Sequence, residues 1–132
     1  MKTELFWLTL TITMTALFWV LYIINRMQEI GVWTALQNPK PDEPPKAQWA
    51  HRMMHAHTNA VENLVIFAPL VLTLSATGTS TSLTASATIL YFFARAAHFV
   101  IYTLGIPFFR TVAFAAGVVA QLTIALTLLR VL

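Results

Sequence analysis

The residues able to do chemistry fall on two short stretches of the chain. Along the first, His51, His55, Asn59 and Glu62 recur at spacings of four, four and three, which places them on one helical face. Along the second, Arg95, His98 and Tyr102 recur at three and four, again one face, and Arg110 follows at the next connection. A buried ion pair needs one acid and one base. Here an acid, two arginines, a histidine, an asparagine and a tyrosine converge on one depth, a mixture that suits a small zwitterionic polar ligand. The plainer reading keeps Glu62 and Arg95 as a pair that holds a bundle together, with Asn59 and His98 as interhelical hydrogen-bonding groups. Both readings stand at this level.

The histidines do not read as a metal site. His55 and His57 are separated by about 200° around a helix and cannot chelate one ion. His51 and His55 are the better pair, but Glu62 lies roughly 16 Å along the axis from His51, too far to share their ion. The chain has no cysteine, so it offers neither thiolate ligands nor a thiol nucleophile of its own.

The elements that carry these residues belong in lipid. Of the 132 residues 58% are hydrophobic and only 10% are charged, well below the roughly 25% charged content that hydrates a soluble surface. Eight basic residues against five acidic ones give a net charge of +3, without the dense basic face that nucleic acid requires, so no nucleic-acid partner is expected. Leu5 to Ile24 contains no charged residue, and its length matches the ~30 Å hydrocarbon thickness at ~1.5 Å per residue. A cleavable leader is not expected, because the apolar stretch is too long for a signal core and no small-residue cleavage site follows it. Pro39, Pro41, Pro44 and Pro45, interspersed with Lys40, Asp42, Glu43 and Lys46, mark an aqueous loop over 37–48, inside a connection bounded at 25–50.

From Ala47 a helix resumes outside the membrane and enters it as a second span over 59–76, with Pro69 a candidate kink. TGTSTS at 77–82 is a polar turn, and a third span covers 83–104, ended by Gly105 and Pro107. Phe108 to Arg110 read as a short connection, and 111–129 as the fourth span. Trp7, Trp19, Tyr22 and Trp33 read as interfacial anchors and packing groups, and Gln121 as an interhelical hydrogen bond or an oligomer contact. The expectation is an all-α integral membrane protein, a single four-transmembrane-helix bundle over 1–132. Arg26, Lys40, Lys46, Arg52 and Arg110 lie in the first and third connections, against Lys2 and Arg130 on the other side. By the positive-inside rule those connections face the cytoplasm and both termini are non-cytoplasmic.

The segments RMMHAHTNAVEN at 52–63 and RAAHFVIYTLGIPFFRT at 95–111 resemble the MAPEG family, the membrane-associated proteins of eicosanoid and glutathione metabolism, and the likeness runs through nearly the whole chain. It is closest to bacterial members that carry an N-x-x-E-N motif. The resemblance implies a homotrimer with cytoplasm-facing sites between subunits. It also implies glutathione transferase or peroxidase activity toward lipophilic electrophiles or lipid hydroperoxides, with glutathione or another small thiol as cofactor. By matching position it makes Asn59, Glu62, His98 and Tyr102 glutathione contacts, and Arg52 and Arg95 residues that shape the site. Arg110 becomes the catalytic arginine beside the sulfur, with the Thr111 hydroxyl next to it. His55 and Thr58 stand where family enzymes commonly carry carboxylate-clamping arginines, and Phe114 replaces an aromatic hydroxyl donor found in some members.

Two other functions compete. One is a non-catalytic membrane binding or scaffold protein that keeps its polar core for assembly. The other is a small multidrug transporter, which also has four spans but needs a carboxylate in the middle of the first span, where this chain has none.

Overall fold

The computed structural model describes residues 2–40 and 43–132. Pro41 and Asp42, read from the sequence as part of the proline-rich loop, lie outside the described residues. Every regular element among the described residues is a helix: α1 (Thr3–Leu17), α2 (Val20–Ile30), α3 (Val32–Ala35), α4 (Gln48–Thr77), α5 (Ser82–Leu104) and α6 (Pro107–Leu128). Four stretches are long and apolar enough to cross a membrane: Thr3–Ile30, Gln48–Thr77, Ser82–Leu104 and Pro107–Leu128. The 28 and 30 residues of the first two correspond to about 42 and 45 Å, more than the ~30 Å hydrocarbon layer, so their ends project into the headgroups and water.

The first span is two helices in tandem rather than one. At Phe18 and Trp19 the ladder tightens, and the Phe18 N–H donates to the Thr15 carbonyl only three residues back, at 3.2 Å. The Thr15 hydroxyl donates in turn to the Thr11 carbonyl at 2.8 Å, and such back-bonding loosens and bends a helix. Phe18 then lies flat on Phe99 of α5, with ring centroids 3.6 Å apart and planes within 6°.

The 25–50 loop is shorter than its expected bounds. α2 continues to Ile30, Gly31 turns the chain with φ of 85°, the four residues of α3 follow, and α4 starts at Gln48. The returning end of the loop is held by Glu29, whose carboxylate accepts from the Lys46 and Ala47 N–H groups at 2.8 and 3.1 Å and from Asn25 Nδ2 at 2.7 Å. α4 passes through Pro69 without a break.

At the opposite end, Thr81 and Thr84 form a reciprocal capping box that starts α5. Glu4, buried at 4% exposure, accepts from the Ser80 hydroxyl at 2.7 Å and ties α1 to this turn.

The fourth span begins four residues before its expected start. Pro107 is the first residue of α6, so Phe108 to Arg110 form its opening turn and are not a connection. Proline is suited to that position because its missing N–H would have no partner there and its φ is already helical. The true connection is Gly105 and Ile106, in which the Ile106 N–H reaches the Ile101 carbonyl and the Gly105 N–H the Tyr102 carbonyl. These two bonds satisfy carbonyls that the helix end leaves open.

The core lies toward the end away from the proline loop. Phe67, Val71 and Leu74 of α4 meet Ala87 and Tyr91 of α5, Ala120 and Ile124 of α6, and Leu8 of α1. Phe67 stacks on Tyr91 at 3.7 Å. Lipid tails are as apolar as these side chains, so association rests on close packing, and the alanines with Gly117 let backbones approach.

Gly105 sits at φ of 78°, and a Cβ placed there would come 3.2 Å from the Arg52 guanidinium carbon. Gly105→Ala therefore lowers stability by about 1–2 kcal/mol from the left-handed backbone alone. Thermal unfolding in detergent reads this as a reduced midpoint.

Candidate functional site

Two of the bonds that gather the polar residues involve arginines whose charges are spent inside the fold. Arg52, half-buried on α4, donates from Nε to the Thr103 carbonyl at 2.9 Å. Thr103 lies in the last turn of α5, where carbonyls lack helical partners and a cation complements the helix dipole. Arg95 on α5 is only 2% exposed, and its Nη2 donates to Asn59 Oδ1 on α4. Gly117 of α6 leaves room for the arginine's stem, with Arg95 Cδ 3.6 Å from where a Cβ would stand. The Glu62–Arg95 pair weighed from the sequence is absent among the described residues. Asn59 lies on the α5-facing side of α4, whereas Glu62 is on the exposed face, so the buried guanidinium meets the amide.

Beside this link opens a cavity of about 270 Å³, lined by Asn59, His98, Tyr102, Arg110, Thr111 and Phe114. Five of the sequence candidates meet here. The Arg110 guanidinium carbon lies 4.6 Å from the centre of the Tyr102 ring, a cation–π contact that keeps a positive charge at the mouth. His98 is 2% exposed, with its ring 5.6 Å from that of Tyr102 and 6.1 Å from that of Phe114. Its Nδ1 is buried and has no hydrogen-bond partner among the described residues. A buried orphan of this kind is costly, and a polar ligand in the cavity could satisfy it. Starting α6 at Pro107 puts Arg110 on a rigid turn, so the guanidinium is positioned by helix geometry rather than by a loop.

The remaining candidates lie elsewhere. Glu62 is exposed on the outer face of α4 and is not among the residues that line this cavity. His55 lines a separate cleft with His51 and Thr58, between α4 and the proline loop, and its Nε2 lies 3.3 Å from that of His51. His57 points the other way, with Nδ1 2.7 Å from the Tyr22 hydroxyl of α2. No group of three histidine or acidic side chains arranged for a metal occurs among the described residues. Gln121 makes an interhelical bond, donating to the Asn63 carbonyl at 3.2 Å.

Sequence reading missed Glu4 and Glu29. Both are acids at helix ends whose partners include hydroxyl and backbone groups from distant segments, which no periodicity announces.

Four membrane-length helical stretches, three of which line a polar cavity, define a multi-pass integral membrane protein with a candidate small-molecule site. The family model for the MAPEG family matches residues 5–130, and the chain belongs to that family. No curated protein and no solved structure gives a significant match.

Replacing Arg95 by methionine keeps the stem and removes the donor to Asn59. A hydrogen bond to a charged group contributes about 1.5–3 kcal/mol, and the variant's unfolding midpoint in detergent falls accordingly. An unchanged midpoint would show that the link does not hold α4 to α5.

Proposed function

We propose that the protein is a glutathione-dependent transferase or peroxidase of the membrane, acting on lipophilic electrophiles or lipid hydroperoxides. The observation that carries this reading is the Arg110 guanidinium over Tyr102, at the rim of a cavity lined also by Thr111 and by His98, whose buried Nδ1 has no partner among the described residues. The donor set fits a thiol peptide: one fixed cation for a sulfur anion, with hydroxyl, amide and imidazole groups for a peptide backbone. Asn59, His98 and Tyr102 would hold the backbone, and Arg110 and Thr111 the sulfur end. A bound thiol supplies the nucleophile that this cysteine-free chain lacks.

What the chain contributes is charge and position. A free thiol has a pKa near 8.5 and is mostly protonated at neutral pH. A guanidinium beside the sulfur favours the anion, and lowering the thiol pKa by about two units corresponds to about 2.7 kcal/mol. The hydroxyl of Thr111 adds a hydrogen bond to the same charge. Phe114 gives the cavity an apolar wall for an electrophile arriving from the bilayer.

Assembly as a homotrimer, with sites between neighbouring subunits, belongs to this reading. Glu62 supports it, because a carboxylate exposed at the edge of the apolar stretch of α4 is costly in lipid and a second copy would cover it. With the charged connections in the cytoplasm, the cavity faces the cell's thiol pool. One observation favours a scaffold instead: Asn59 Oδ1 already accepts from Arg95, and from Asn63 Nδ2 at 3.3 Å, so part of the polar cluster is occupied with holding helices.

Detergent-purified protein is expected to turn over an aryl halide or a lipid hydroperoxide only with glutathione present. Arg110→Ala reduces kcat/KM by about a hundredfold, the equivalent of two pKa units, and moves the pH–rate profile upward toward that of the free thiol. Turnover indifferent to this substitution removes the arginine from the chemistry, and absence of turnover in the parent protein favours the scaffold.

A further inference from the structure

Two polar atoms of α5 are buried without a hydrogen-bond partner among the described residues, and neither residue lines the cavity at Arg110. They are the Nε of Arg95 and the hydroxyl of Tyr91. Arg95 is 2% exposed and Tyr91 1%. The two positions are four apart, so their side chains leave the same face of the helix. That face meets α6 at Gly117. A Cβ built on Gly117 would lie 3.6 Å from Arg95 Cδ and 3.8 Å from Tyr91 Cε1, so one point on α6 borders the stem of one side chain and the ring edge of the other. Gln121 follows one turn further along α6, buried, with its amide close to the Tyr91 hydroxyl without bonding it. Its Nε2 donates to the Asn63 carbonyl, which leaves the amide oxygen for another donor.

Depth makes both unpaired atoms costly. Gly117 is near the midpoint of α6, which runs from Pro107 to Leu128, and Arg95 is about 14 Å along α5 from its end at Leu104. A donor at that level has no bulk water to turn to, and lipid offers it no acceptor. The glycine is unexpected as well, because in the middle of a helix it is less favourable than alanine. The distances around it are ordinary van der Waals contacts, so an alanine methyl would fit against both side chains. Arg95 and Tyr91 alone therefore do not call for glycine at this position.

We propose that the space at Gly117 holds one internal water molecule that bonds both Arg95 Nε and the Tyr91 hydroxyl. The guanidinium nitrogen can only donate, and the phenol oxygen can donate or accept, so a single water between them satisfies the two. Its remaining hydrogen turns to the Gln121 amide oxygen. Three polar partners are what an enclosed water typically has, and a space that accepts a methyl is large enough for it. An apolar occupant leaves both donors open, and a cation meets the guanidinium. With the water in place Arg95 is held on two sides, by Asn59 of α4 through Nη2 and by the water through Nε. The proposal goes beyond the thiol reading and does not depend on it, since none of Tyr91, Arg95, Gly117 and Gln121 lines the cavity at Arg110.

Solution NMR of the full chain in detergent, with isotope-labelled arginine and solvent water as the probe, tests it. The expected result is a rotating-frame cross-peak between the Arg95 Nε–H and water, with the sign of dipolar contact and opposite to that of proton exchange. Arg95→Lys identifies the resonance by removing it. Gly117→Ala displaces the water, so the cross-peak is lost and the unfolding midpoint falls, although alanine is the better helix former, because two buried donors are left unpaired. In a Tyr91→Phe background the same alanine lowers the midpoint by less, since one of those donors is gone. A resolved Arg95 Nε–H without the cross-peak in the parent protein overturns the proposal. So does a Gly117→Ala variant that keeps the cross-peak, or one whose midpoint rises, as filling a dry space would make it do. A parent midpoint that falls when gluconate replaces chloride at constant ionic strength assigns the space to an anion and overturns the water as well.

Discussion

A buried guanidinium in a membrane bundle must be given a partner, and the bond from Arg95 to Asn59 meets that requirement. Little hydrophobic force draws helices together in lipid, so the polar link between α4 and α5 and the close packing of small residues must do it. Arg95 passes beside Gly117 of α6, so one side chain registers three helices. Arg52 repeats the device one level higher by holding the open carbonyl of Thr103 at the end of α5. The short Gly105–Ile106 connection can then deliver Pro107, and with it the first turn of α6, directly over Tyr102. Remove the internal arginines and the cavity loses its frame.

This arrangement separates two jobs that looked like one in the sequence. Arg95 and Arg52 spend their charges on backbone and amide acceptors inside the fold. Arg110 keeps its charge at a cavity mouth, against an aromatic ring and with no carboxylate partner among the described residues. The distinction matters for chemistry, because a cation neutralised by an acid offers little to an incoming anion, whereas one resting on a π face retains most of its field. In the proposed reaction the same field favours a thiolate, and it lies next to the lipid from which an apolar electrophile would arrive.

Much of the architecture was legible because lipid imposes simple lengths. The uncharged run Leu5–Ile24, the polar turn near Gly78 and the proline cluster marked spans and loops directly. Helix periodicity placed Asn59 near His98 and Tyr102 correctly. It could not show that, within one chain, Glu62 and His55 lie outside that cavity, because spacing tells which residues share a face but not how a shared face is divided among neighbours. Asn59 lies at the edge of the α4 stripe that turns toward α5, while Glu62 and His55 stay outside. The break at Phe18 had no proline or glycine to announce it and depends on hydroxyl back-bonding and a ring stack with Phe99, a tertiary contact. Pro107 was read as a terminator of α5 when it is the initiator of α6, since a proline after a glycine is compatible with either.

Proton release on mixing glutathione with the protein in weakly buffered detergent solution at neutral pH tests the central claim most directly. A thiol bound as its anion beside Arg110 gives up close to one proton per occupied site, and the account predicts that this release disappears in Arg110→Ala even at saturating glutathione. Binding without proton release in the parent protein, or release that survives the loss of Arg110, would contradict it.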